Sequence, residues 1–119
     1  MADVYEATNG FPKHELYGLT SQMRRAACSV VSHIAEAQGR LTFGERRQLL
    51  SQGRGSLFEV EAQVIAAVRL RFLTQAAGDH LRSRARTAAR ELAGMIEWVK
   101  KREADVKLRP GAKSQTPDA

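Results

Sequence analysis

The chain has 119 residues, of which 43% are hydrophobic and 27% charged, and its formal net charge is +6. That size provides for one domain with one core, and the mixture is that of a globular protein rather than a disordered segment. No uncharged stretch reaches the roughly 18 apolar residues that a membrane span needs. The opening Met1-Ala2-Asp3-Val4-Tyr5-Glu6 carries acids where a secretion signal would carry bases, and the single cysteine, Cys28, has no disulfide partner; a cytoplasmic location is expected. The positive surplus lies wholly in residues 46–119, with 15 basic and 8 acidic side chains against 4 and 5 in residues 1–45. Such asymmetry suits a polyanionic partner, or is the solvated face of Arg-rich helices.

Turn signals at Asn9-Gly10-Phe11-Pro12, Gly39-Arg40 and Ala77-Gly78-Asp79 divide an otherwise helical pattern into four segments. The first, residues 2–8, is about two turns long and marginal alone in water. In the second, Leu19, Met23, Ala26, Val30, Ile34 and Ala37 recur at helical spacing on one face, and Gly39 is expected as a left-handed stop. The third opens with Thr42 and Glu45, the pair of a capping box, and is predicted to run to about Phe72. It carries two apolar rows. Leu50, Gly53, Leu57, Val60, Val64 and Ala67 form one; Phe58, Ile65, Val68 and Phe72 form the other, beside it. An arc this broad exceeds what one neighbour covers, so part of it is expected to face another subunit or the extended bundle, the second row being the candidate subunit contact. Gly53 and Gly55 each weaken a helix by up to about 1 kcal/mol, which points to close helix contact or simple tolerance. The fourth segment, with Asp79 as its expected cap, repeats Leu81, Ala85, Ala88, Leu92, Met95 and Val99, widened by Ile96 and Trp98. Long helices are thus predicted near 19–38, 43–72 and 79–104. They make a helical domain over 1–106, and Arg109-Pro110-Gly111 and the polar end at Ala119 mark 107–119 as a flexible tail.

Three blocks resemble a known family. Phe11-Pro12-Lys13 with Leu16-Tyr17-Gly18-Leu19-Thr20-Ser21-Gln22-Met23-Arg24-Arg25-Ala26-Ala27 is similar to the signature of the four-helix-bundle proteins encoded in intervening sequences of bacterial 23S ribosomal RNA genes. Ser32-His33-Ile34-Ala35-Glu36-Ala37-Gln38-Gly39-Arg40 resembles the family's Ser-Asn-Ile-Ala-Glu-Gly block. Arg54-Gly55-Ser56-Leu57, followed by Glu59, Glu61 and Gln63, resembles its Arg-Gly-Ser-Leu-x-Glu-x-Glu-x-Gln run. The resemblance implies an all-α, up-and-down antiparallel four-helix bundle that assembles as a ring-like homopentamer and has no known enzymatic activity. A related branch, the accessory proteins of diversity-generating retroelements, looks like the same pentameric bundle and binds nucleic acid through basic surfaces. Only ten residues precede Phe11, so either the first helix is a shortened stub or the chain starts part-way along it. His33, Ala37 and Phe58 stand where the family pattern has asparagine, glycine and asparagine.

Catalytic chemistry finds little support. His33 and Glu36 lie one helical turn apart, and His14 or His80 would have to complete a metal set; a histidine beside an apolar row more often packs, so no metal or cofactor is expected. Cys28 reads as a small packed residue, and no Ser-His-Asp or Cys-His arrangement emerges. Glu59 and Glu61 point about 200° apart on a helix, which excludes a shared site, and are expected to pair with Arg24 or Arg25. Gly53-Arg54-Gly55 lies inside a helix rather than after a strand, so it is no phosphate loop. Neither an enzyme nor a small-molecule substrate is expected.

The basic residues are the better candidates. Arg82, Arg86 and Arg90 recur every four residues as a stripe expected to face solvent, and Arg46, Arg47, Arg69, Arg71, Lys100, Lys101 and Arg102 add charge near helix ends. Repeated around a pentamer, such a stripe gives avidity for RNA or DNA phosphates. Aromatics are only 6% of residues and most lie in apolar rows, which argues against base stacking. Two functions remain: a nucleic-acid-binding oligomer, or a protein–protein assembly scaffold that binds no nucleic acid.

Overall fold

The computed structural model describes residues 2–108. They form α1 (Ala2–Thr8), a 3-10 turn (Lys13–Glu15), α2 (Leu19–Gln38), α3 (Phe43–Arg69) and α4 (Gln75–Leu108), with no strand among the described residues. The fold is therefore all-α, four helices with a short first one.

α2 has the predicted bounds, and Met23, Ala26, Val30 and Ala37 of its apolar row are buried. Gly39 is not a left-handed stop, since its φ is −89°. Arg46 does that work from the next helix: its Nε donates to the Ala37 carbonyl at 3.1 Å and its Nη2 to that of Gln38 at 3.5 Å. A cation thus meets the last carbonyls of α2 at the negative end of its dipole, sharing that of Ala37 with the Arg40 amide at 3.3 Å. Thr42 caps α3 as expected, its Oγ1 accepting the Glu45 amide at 3.1 Å.

The α3–α4 turn differs from the prediction. α3 ends at Arg69 because Arg71 adopts a φ of 63°, while the Arg71 and Phe72 amides donate to the carbonyls of Val68 and Ala67 at 3.0 and 2.9 Å. This is a Schellman stop, with arginine where glycine usually sits. α4 then starts at Gln75 rather than Asp79, capped by Thr74, whose Oγ1 accepts the Ala77 amide at 3.1 Å. Asp79 lies one turn inside the helix, accepting a hydrogen bond from Gln75 Nε2 at 2.9 Å. Gly78 is helical too. It sits where α4 approaches α3, and a Cβ there would collide with Val68 Cγ2. At its other end α4 includes Lys107 and Leu108; the rest of the expected tail, 109–119, falls outside the described residues.

α3 is the axis of the molecule. α2 runs antiparallel to it, with Ser29 meeting Ser56, and α4 runs antiparallel on its other side, with Glu61 meeting Arg86 and Arg47 meeting Glu103. α2 and α4 bring no Cα atoms within 8 Å of each other. The three long helices therefore form a V in section, with α3 at its apex. One core cluster includes Val4, Phe11, Met23, Val60, Val64 and Leu81. The other includes Val30, Leu50, Leu57, Leu92, Ile96 and Val99. The result is a rod of 59 × 23 × 18 Å.

Candidate functional site

The arginine stripe does not face solvent along its whole length. Each four-residue step advances 400°, so the row winds about 40° per step around α4. Arg82, with its side chain 30% exposed, lies against α3, and both Arg82 Nη2 and Arg86 Nε reach Glu61 Oε1, at 3.5 and 2.7 Å. Arg86 is 57% exposed, and Arg90 stands in solvent with Nη2 3.4 Å from Thr87 Oγ1. Glu61 thus pairs with α4 and not with Arg24 or Arg25. Arg24 instead binds Thr8 Oγ1 and Asn9 Oδ1 at 2.9 and 3.0 Å, its guanidinium 4.9 Å from the Tyr5 ring centre.

Two further candidates are held in the fold. Arg46 caps α2, and Arg47 Nε donates to Glu103 Oε2 at 3.0 Å. Glu103 is buried and also receives Lys107 Nζ at 3.2 Å. The hydrogen bond from Arg47, helped by Lys107, holds its carboxyl below the usual carboxylate range despite the opposing effect of burial. Arg69 and Arg71 are exposed at the α3–α4 turn. Lys100 pairs with Glu97 at 3.4 Å, Lys101 is exposed, and Arg102 lies 4.7 Å over the Trp98 ring.

The second apolar row of α3 divides in the same way. Phe58 and Ile65 are exposed at 53% and 37%. Val68 and Phe72 are not part of an open face: Val68 packs toward Gly78, and the Phe72 ring lies 5.5 Å from that of Phe11. Exposed aromatics are nonetheless present, since Tyr17, Trp98 and Tyr5 join Phe58 at the surface. Arg54 lies 5.9 Å from the Phe58 ring centre. The signal for two of these pairs was an arginine four residues from an aromatic, Arg54 with Phe58 and Trp98 with Arg102, which a helix stacks on one face.

Between α2 and α4 the V is open. α1 closes one end, burying Val4 and pairing Asp3 with Arg84. Further along, a recess of about 500 Å³ is lined by Ile34, Ala37, Leu50, Met95, Trp98 and Val99, with Gln38, Arg46 and Glu91 as its polar groups. The histidines do not converge: His33 Nδ1 lies 2.8 Å from the Ser29 carbonyl, and Glu36 pairs with Arg40 at 3.8 Å. Among the described residues no three side chains of metal-binding type come together.

A search of curated proteins finds no match to this chain. The family model for the 23S rRNA-intervening sequence protein matches residues 1–94, which takes in α1 to α3 and the part of α4 that carries Arg82, Arg86 and Arg90. The chain belongs to the 23S rRNA-intervening sequence protein family.

Proposed function

We propose that this protein is a non-enzymatic oligomer, a homopentamer by its family resemblance, that binds RNA in the cytoplasm through the basic outer face of α4. The observation that carries the reading is the imbalance around Glu61: one carboxylate serves Arg82 and Arg86, and Arg90 continues the row with no carboxylate among its hydrogen-bond partners. Guanidinium groups on a rigid helix hold phosphates without selecting bases. The family's name attaches it to 23S rRNA, which favours RNA over DNA. Among the described residues no helix is long and apolar enough to cross a membrane.

The test replaces Arg86 and Arg90 with glutamine and keeps Arg82 so that Glu61 is not left unpaired. RNA affinity should fall alike for all sequences, and the slope of log K against log salt should drop by about 1 to 2 for two lost phosphate contacts. Binding with unchanged affinity and slope overturns the reading. The scaffold reading then takes its place, favoured by the exposure of Phe58 and Ile65.

A further inference from the structure

We propose that the RNA taken by the basic face of α4 is single-stranded, with an unpaired base stacked on the exposed ring of Phe58. The inference rests on the RNA reading above and names the class of RNA that it serves. Phe58 precedes Glu61 by three residues on α3, and Arg90 follows Arg86 by four on α4. Because the two helices run antiparallel and Glu61 pairs with Arg86, one turn back on α3 and one turn forward on α4 lead the same way along the rod. Phe58 and Arg90 are therefore level, on either side of the outer groove between α3 and α4, and the small Ala89 keeps that groove shallow. Arg54, the next turn of α3, holds its guanidinium 5.9 Å over the Phe58 ring.

The neighbourhood is cationic with an aromatic at its centre. Glu61 is engaged by Arg82 and Arg86, and neither Arg54 nor Arg90 has a carboxylate among its partners within the described residues. Glu59 and Glu91 each stand about 100° round their helices from Phe58 and Arg90, away from the outer groove, and Glu91 lines the recess on the other side of α4. Phe58 is 53% exposed and lies outside both core clusters and that recess. A phenyl ring offers phosphates no hydrogen bond, whereas every base has a face that stacks on it. In a duplex the bases already stack on one another, and the major groove of A-form RNA is too deep and narrow for side chains to read, so the partner of this ring is an unpaired base. Arg86 and Arg90 hold the flanking phosphates while the base turns onto Phe58, with Arg54 against the same ring. Stacking of this kind tolerates any base, in keeping with an affinity that does not depend on sequence.

The test uses Phe58→Ala, an exposed position at which parental circular dichroism should be kept, with a short oligouridylate and its fully paired duplex with oligoadenylate as probes. The parent should prefer the single strand. Phe58→Ala should weaken single-strand binding about tenfold and leave duplex binding unchanged. Its salt slope should match the parent's, because no phosphate contact is lost, whereas glutamine at Arg86 and Arg90 should flatten that slope. Phe58→Trp should restore the affinity, and 5-iodouridine in the strand should photo-cross-link to Phe58, located by mass spectrometry. Equal binding of both probes by the parent and by Phe58→Ala, or cross-links that avoid Phe58, overturns the proposal and leaves the RNA reading standing. A change in the mass of the RNA-free protein on Phe58→Ala also overturns it, since the ring then serves a protein contact. A parent that binds neither probe overturns both.

Discussion

Arg47, Glu103 and Lys107 show what a charge does when a helix pair encloses it. Glu103 keeps a side chain only 12% exposed, and its partners favour the ionised form. A carboxylate whose folded pKa is depressed contributes stability above its unfolded pKa and loses it as pH falls through the folded value. Breaking a buried pair removes about 3–5 kcal/mol, but Arg47 is 39% exposed, so Glu103→Gln should lose about 1–2 kcal/mol at pH 7. Urea titrations should show that difference shrinking as pH drops below about 4, the ordinary carboxylate range; a constant difference would mean the loss is one of packing. Arg71 offers the opposite case. It occupies left-handed backbone at a φ of 63°, which glycine adopts freely, so Arg71→Gly should stabilise by about 1 kcal/mol and raise Tm. In sequence, Arg46 and Arg47 are indistinguishable from Arg86 and Arg90. Only the acceptors beside them, two helix-end carbonyls and a carboxylate from 56 residues away, reveal which arginines are already engaged.

The two glycines of α4 test the packing of elements. At Gly78 a methyl group meets Val68, whose β-branched side chain is stiff, so overpacking of about 1–3 kcal/mol should outweigh a helix-propensity gain of about 1. At Gly94 a methyl meets nothing within 4 Å. Gly78→Ala should therefore lower Tm while Gly94→Ala raises it; two shifts of the same sign would remove the distinction. α2 was legible to the residue because its apolar row ends where a glycine and a following cap agree. The next boundary was hidden, since Arg71 is an unusual left-handed residue and Gly78-Asp79 is turn chemistry used inside a helix. Of the candidate surface, the Arg82–Arg90 spacing and the Phe58 and Ile65 row were readable. The recess between α2 and α4 was not, because it exists only where those helices fail to meet.

Across the whole molecule, stability should follow the number of neighbours each helix has. α3 is flanked on both sides, whereas α1 is seven residues long and the last turns of α4 touch only the start of α3. Hydrogen exchange should find slow amides along α3 and the facing part of α2, and fast ones in α1 and beyond Val99. Uniform protection would mean that the rod opens as one unit. The open V also bears on how the chain gets there. Its large contacts join helices adjacent in sequence, so the search is short and folding belongs to the fast, low-contact-order regime. Two hairpins share α3, and neither needs the other to close first, which gives parallel routes. The distant tie between helices is that of α1 to α4, through Asp3 and Arg84. A latch formed after the transition state governs escape rather than arrival, so Asp3→Asn should leave the refolding rate nearly unchanged and speed unfolding.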